Sequence, residues 1–306
     1  MGKIGFLFAG QGAQYPGMGK DLYDSSYAAK SVYDMGESIF PGILDLCFFS
    51  EKETLKLTEN TQPALFLTDL ACACAVSEKG FFPDAVAGFS LGEIAALAYA
   101  KILSYEDAFR LVCLRGRKMA ECASRYPGSM AAIVKLSAQK VEELCSAYDS
   151  VYPVNYNCPG QISCAGSPEQ IDLLCAAAKE AGGRGIKLAV SGAFHTPFMQ
   201  EAGVALRSFL DSVSVHAPQI PIYSNLTGEL YPSETDEIKN LICNQLSHSV
   251  RWETIIRKMN VQGIDTYLEV GAGKTLSGFV AKTITDAKIA NVENCQGLDL
   301  AVSSIL

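Results

Sequence analysis

The sequence is short of histidine, with three, and of tryptophan, with one, and it has no surplus of basic side chains. Each shortage removes a class of function. With 25 Lys and Arg against 33 Asp and Glu, the formal net charge is −8, and a nucleic-acid partner, whose phosphates reward a basic surface, is not expected. Three His and no paired C-x-x-C set leave a zinc site without a ligand framework, so no metal is expected. The apolar runs are broken by Gly, Pro or charge well before the ~18 residues a membrane span needs. The opening MGKIGFLFAGQG reads as a buried strand, not a cleavable signal, and the expectation is a soluble cytoplasmic protein. Eleven cysteines are too many to ignore, but the number is odd, and Cys72 and Cys74 fall inside a helix-like apolar run. Reduced thiols serving as small core residues are the expected state.

What is present is apolar mass. Hydrophobic residues make up 49% of 306 and charged residues 19%, enough to offset the chain entropy of one large core and a smaller second one. The run KIGFLFA ends at Gly10-Gln11-Gly12 and reads as a buried strand opening into a loop. A helix is expected after Thr61-Gln62-Pro63, with a polar cap and a first-turn proline before ALFLTDLACACAV. DAVAG then reads as a strand and SLGEIAALAYA as a helix, the crossover pattern of a mostly parallel sheet.

From Met130 the pattern changes. MAAIVKL, AQKVEELCSAY, VYPVNYN, QISCAGS, PEQIDLLCAAAKEAG and GIKLAVS read as βαββαβ, the ferredoxin-like unit. The chain then returns to helix at Pro197, to strands at PIYSNL and TYLEV, and to a helix after GAGKT. The expected fold class is therefore α/β, a mostly parallel sheet core with an inserted ferredoxin-like subdomain. Residues 1–127 and 194–306 would form the large domain and 128–193 the insertion.

Gly88-Phe89-Ser90-Leu91-Gly92 matches G-x-S-x-G and stands between a strand and a helix, where glycines permit the sharp turn that exposes a serine nucleophile. The helix start also aims N–H groups and a positive dipole at a developing oxyanion. A serine needs a base, and His195, in SGAFHTPFM at a strand end, is better placed than His216 or His248 in polar loops. Arg115 lies with Ala108, Leu111, Val112, Met119 and Cys122 on the apolar stripe of its helix, where an always-charged guanidinium must find an anion. Two readings stay open from the residues alone: a structural ion pair, with Glu93 as the partner, or a fork for a substrate carboxylate. Gly271-Ala272-Gly273-Lys274-Thr275 imitates the end of a P-loop, but Leu268 stands where its first glycine belongs. The turn nevertheless opens a helix and keeps the potential to meet a phosphate.

Eight segments, FAGQGAQ (8–14), TQPAL (61–65), GFSLGE (88–93), RLVCLRGRKM (110–119), NYNCPGQ (155–161), AFH (193–195), NQLSHSVRW (244–252) and EVGAGK (269–274), together resemble the malonyl-CoA:acyl carrier protein transacylases. The resemblance runs nearly end to end. It implies a hydrolase-like core, Ser90 as nucleophile, His195 as base, and the main-chain N–H groups of Gln11 and Leu91 as the oxyanion hole. It further implies that Arg115 grips the acyl carboxylate and that the amide carbonyl of Gln245 orients the histidine. Phe194 would form a wall that disfavours branched acyl groups, and Met119, Gln62 and Asn155 would contact substrate. No cofactor is implied, only malonyl-CoA as substrate and an acyl carrier protein as partner. Both are acidic, so docking requires a locally basic patch on an acidic protein. Two positions depart from the family pattern: Phe89 replaces the histidine before the nucleophile, and Thr196 replaces the serine after the catalytic histidine. A serine hydrolase that clears acyl groups, and a non-catalytic carrier-docking protein, are the alternatives.

Overall fold

A computed structural model describes residues 2–190 and 192–304. Its strands are β1 (Lys3–Phe8), β2 (Ala85–Gly88), β3 (Ser129–Val134), β4 (Val151–Cys158), β5 (Gln161–Gly166), β6 (Arg184–Lys187), β7 (Ile222–Tyr223), β8 (Ile264–Val270) and β9 (Lys288–Val292). Five of them form a parallel sheet in the order β7-β2-β1-β8-β9. β1 is central, and its alternating side chains serve two cores. Phe6 and Phe8 pack on one face with the helices Thr58–Glu78, Gly92–Tyr99 and Tyr105–Arg125, whereas Leu7 packs on the other with Trp252, Ile255, Ile256 and Tyr267. A strand covered on both faces needs an unbroken apolar run, which is what KIGFLFA provides.

The second sheet is antiparallel with order β4-β5-β3-β6, the ferredoxin-like arrangement, and the helices Ala138–Cys145 and Pro168–Glu180 cover it. Its own core contains Ile133, Val141, Ile162, Ile171 and Leu174. The two sheets are tied where the chain at Val250 runs along β4, with Val250 N–H donating to Val154 O at 2.8 Å and Tyr156 N–H to Val250 O at 2.9 Å. The parallel core and the βαββαβ insertion expected from the pattern are both present.

Several local expectations need correction. The helix containing TQPAL starts at Thr58, so Pro63 lies inside it and not in its first turn. The start moves earlier because the amides of Asn60 and Thr61 both bond Leu57 O and the Thr61 hydroxyl donates to Leu55 O, winding a turn ahead of the proline. The strand in PIYSNL is only Ile222–Tyr223, since pairing with β2 ends there and Ser224 and Asn225 turn away. GIKLAVS is strand only to Lys187, and its last residue, Ser191, lies outside the described residues. Pro197 opens a short 3-10 turn before the helix Gln200–Leu210. At the P-loop imitation the helix Thr275–Thr283 has its first amides filled: Leu276 and Ser277 donate to Glu269, and Gly273 to Glu293. A carboxylate already occupies the place a phosphate would take, and the phosphate expectation falls. All eleven cysteines are free thiols, and Cys72 is a buried core residue.

The carboxyl ends of β1, β2 and β8 converge, and in an open parallel sheet that crevice is where ligands bind. Close approach there depends on Gly92, where an added Cβ would fall 2.2 Å from Phe8 O and 2.5 Å from Ala9 O. Both are main-chain atoms of the central strand and its exit, so they cannot yield without moving it. Gly92→Ala should therefore destabilise the fold by roughly 3 kcal/mol or more. Gly278→Ala, exposed in a helix interior with nothing within 4 Å of its new methyl, should stabilise by about 0.5–1 kcal/mol. Urea unfolding of the two variants checks the contrast, and equal effects would refute it.

Candidate active site

Ser90 lies two residues past the end of β2, and its φ of 54° is a left-handed conformation that a residue with a side chain adopts only under constraint. The constraint comes from Asn225. Its Oδ1 accepts from Ser90 N at 2.7 Å and its Nδ2 donates to Gly88 O at 2.7 Å, clamping the turn from both sides. The Ser90 hydroxyl is thereby presented to His195 Nε2 at 2.7 Å.

His195 is itself left-handed, with φ 62°, and its ring is buried. Its Nδ1 lies 2.9 Å from the main-chain carbonyl of Gln245, an acceptor only, which fixes the proton on Nδ1 and leaves Nε2 free to take one from Ser90. The expected role of Gln245 is thus corrected in one respect: the main-chain carbonyl orients the ring, because the side-chain amide is engaged elsewhere. Burial first, and the charge of Arg115 second, push the imidazole down to about 4, so it is neutral at physiological pH. His216 and His248 are exposed, and the His248 ring bonds Ser247 and Asn244, not Ser90.

Arg115 is fully buried. Its Nη1 donates to Gln62 Oε1 at 2.9 Å, and its Nη2 to Gln245 Oε1 at 2.9 Å and to Ser90 Oγ at 3.2 Å. Among the described residues no carboxylate lies within ion-pair distance of it, so the direct Glu93 pair left open by the sequence does not form. Gln245 stands between them instead, its Nε2 donating to Glu93 Oε2 at 2.5 Å and to Ser90 O at 2.7 Å. Burial lowers the guanidinium to about 10 against the pull of Glu93, which leaves it charged at neutral pH.

Three residues of this network were not singled out as site residues by the sequence. Glu93 closes the GFSLGE motif and is buried, accepting from Tyr231 OH at 2.7 Å and Asn225 N at 3.0 Å as well as from Gln245. Burial holds its carboxyl up to about 7. Asn225 and Tyr231 carry no local signal, because both act across more than 130 residues of sequence.

A cavity of about 80 Å³ opens over Ser90, lined among others by Gln11, Met119, Asn155, Phe194 and His195. Gln62 lies behind it, braced between Arg115 and Met119 Sδ. Among the described residues, the main-chain N–H groups of Gln11 and Leu91 have no hydrogen-bond partner. Leu91 directly follows the serine, and Gln11 lines the cavity. A cleft of about 240 Å³ adjoins through Phe89, Asn155 and Leu188, and another of about 630 Å³ through Gln11 and Val190. The Phe89 ring is wedged against Trp252 and Phe279, with centroids 5.4 and 6.1 Å away.

The electrostatics predict a cancellation. Between about 4 and its ordinary 6.5, His195 refuses in the folded state a proton that the unfolded chain takes, so it makes stability rise with pH. Between its ordinary 4.5 and about 7, Glu93 keeps a proton that the unfolded chain releases, so it makes stability fall as pH rises. Each effect is worth about 3 kcal/mol across its window, with opposite sign. Relative to wild type, His195→Ala should lose stability as pH rises from about 4 to 6.5, and Glu93→Gln should gain it from 4.5 to about 7. Asp69 and Glu269, also raised by burial, form a background common to all three proteins. Urea midpoints across this range decide the matter, and variants that parallel wild type would refute it.

Comparison with known proteins extends over the whole chain. The model of the acyl transferase domain family matches residues 5–299. The chain is 38% identical over 311 aligned residues to the malonyl CoA-acyl carrier protein transacylase of Bacillus subtilis, covering 100% of this chain and 98% of that one. Its fold is similar to the crystal structure of malonyl CoA-acyl carrier protein transacylase from Clostridium perfringens, with a TM-score of 0.94, 37% identity, and coverage of 99% and 97%. It is equally similar to a malonyl-transacylase in complex with its type II PKS acyl-carrier protein, with a TM-score of 0.94, 31% identity, and coverage of 98% and 99%. Agreement in sequence and in fold over nearly every residue makes this chain a member of the malonyl-CoA:acyl carrier protein transacylase family of acyltransferases.

Proposed function

We propose that the protein transfers a malonyl group from malonyl-CoA, through an ester on Ser90, to the phosphopantetheine thiol of an acyl carrier protein. The observation that carries the reading is a charged guanidinium within hydrogen-bond reach of a serine nucleophile that already has its base. Arg115 Nη2 is 3.2 Å from Ser90 Oγ, with no carboxylate among the described residues in ion-pair distance, and His195 Nε2 is 2.7 Å from the same oxygen. A neutral acyl group gives such a cation nothing to hold. A malonyl group, with its carboxylate two bonds beyond the reacting carbonyl, does.

The chemistry follows from the geometry. His195 Nε2 takes the Ser90 proton as Oγ bonds to the thioester carbon, and the oxyanion is received by the Gln11 and Leu91 amides. The C–S bond breaks, the coenzyme A sulfur takes the proton from His195, and a malonyl ester remains on Ser90. The carrier thiol then gives its proton to His195 and bonds to the ester carbon, and Ser90 leaves with the proton restored. A base held near 4 is a weak proton acceptor but is fully unprotonated at neutral pH. It is therefore always in the form the first step requires.

A serine hydrolase shares Ser90 and His195 but gives no reason for Arg115 to be buried beside them. The Phe194 ring beside the serine supports selection of an unbranched acyl group, and Met119 and Asn155 complete the wall around it.

Mass spectrometry after mixing with malonyl-CoA should show a lasting malonyl adduct on Ser90, absent in Ser90→Ala. Rapid release of free malonate would favour hydrolysis, and an adduct on a cysteine would displace Ser90 from its role. Arg115→Ala should lose malonyl transfer by about 2 to 5 kcal/mol of transition-state stabilisation, roughly 30-fold or more. Acetyl transfer should suffer less. Arg115→Lys keeps the charge without the fork and should recover only part of the preference. A ratio of kcat/KM for malonyl-CoA over acetyl-CoA that does not change in folded Arg115→Ala would overturn the substrate assignment.

A further inference from the structure

The geometry points to Glu93 as a positioning residue that fixes which way the Gln245 amide faces, and through it the preference for a carboxylated acyl group. The inference rests on Arg115 as the partner of that carboxylate. The amide of Gln245 sits between two groups of opposite demand. Arg115 Nη2 is a donor and requires an oxygen, and it finds Gln245 Oε1 at 2.9 Å. Glu93 Oε2 is an acceptor and requires an N–H, and it finds Gln245 Nε2 at 2.5 Å. Reversed, the amide would set an NH2 against the guanidinium, donor against donor, between two buried side chains.

What forbids the reversal is the number of donors around Glu93. Tyr231 OH and Asn225 N converge on Oε1, while Gln245 Nε2 meets Oε2, so the carboxylate accepts on both oxygens. An amide in its place has one acceptor. Two donors claim it at the Tyr231 and Asn225 end, which turns the NH2 of Glu93→Gln toward Gln245. The Gln245 amide must then turn its oxygen inward, away from Arg115. Ser90 O, which accepts from the same Nε2 at 2.7 Å, loses its partner in the same motion. The volume of the side chain is unchanged, so the substitution alters polarity and not packing.

The consequence is specific to the acyl group. A guanidinium without the Gln245 oxygen keeps only the Gln62 contact at Nη1 and the longer one from Nη2 to Ser90 Oγ, and its fork is no longer held in place. Malonyl transfer depends on that fork, and acetyl transfer does not. A residue that only held the fold together would lower both donors in proportion.

The test measures kcat/KM for malonyl-CoA and acetyl-CoA in wild type, Arg115→Ala and Glu93→Gln, with circular dichroism for folding. The malonyl-to-acetyl ratio is expected to fall by roughly tenfold or more in Glu93→Gln. If Arg115→Ala collapses the ratio and a folded Glu93→Gln leaves it at the wild-type value, this inference is overturned and the carboxylate reading stands. If neither variant changes it, both are overturned. Should Glu93→Gln fail to fold, the exchange Glu93→Gln with Gln245→Glu restores a partner at each contact between the two side chains. That double variant puts a carboxylate of the chain on Arg115 and should prefer acetyl-CoA, and retention of a malonyl preference would overturn the proposal.

Discussion

The site is organised around one costly object, a fully buried guanidinium with no carboxylate in contact among the described residues. Moving such an ion out of water costs several kcal/mol even after relaxation, so every oxygen nearby is recruited to it. Gln62 Oε1, Gln245 Oε1 and Ser90 Oγ are those oxygens, and they come from three separate helices or turns that the charge draws to one point. The same desolvation acts on the neighbour. His195, buried beside a cation, cannot afford a charge of its own, and its imidazole is held neutral. A neutral imidazole beside a serine and a cation without a carboxylate partner among the described residues are thus two results of a single burial.

Constraint of the backbone complements the electrostatics. Ser90 and His195 both occupy the left-handed region, on loops that leave strand ends on different parts of the chain. Neither conformation is favourable alone, and each is held by hydrogen bonds from a third segment: Asn225 across the serine turn, and the Gln245 carbonyl at the histidine ring. Main-chain contact at Gly88 and Gly92 leaves the turn no room to relax. Strain stored this way persists only where the surroundings over-determine it, and here the surroundings are the central strand of the sheet.

Much of this was legible in the sequence because it is written at short range. The shift from buried runs to the βαββαβ pattern at Met130, the turn at Ser90, the inward stripe carrying Arg115 and the loop position of His195 each depend on residues within a helix or turn of one another. What was not legible acts at long range or through the main chain. Asn225 reaches Gly88 and Ser90 from the far side of the insertion, and nothing in PIYSNL marks its side chain as a clamp. The contact of Gln245 with the histidine uses a carbonyl that every residue possesses, so its identity could not reveal it. The glycine-rich turn at 271–275 misled for a related reason: the carboxylates that fill its amides, Glu269 and Glu293, lie on strand β8 and beyond strand β9.

The interposed amide explains how a buried cation is kept both stable and available. Had Glu93 met Arg115 directly, the pair would have been neutral, and a second carboxylate arriving with the substrate would have found no net positive potential. With Gln245 between them, the charges remain mutually favourable, as the opposing pulls on Glu93 and Arg115 record, but each keeps part of its hydrogen-bonding capacity. Glu93 spends that capacity on Tyr231 and Asn225, and so on the serine turn. Arg115 keeps its Nη2 at Ser90 Oγ, and its Nε is buried without a partner among the described residues. One neutral side chain thereby separates the charge that supports the Ser90 turn from the charge proposed to receive the acyl group.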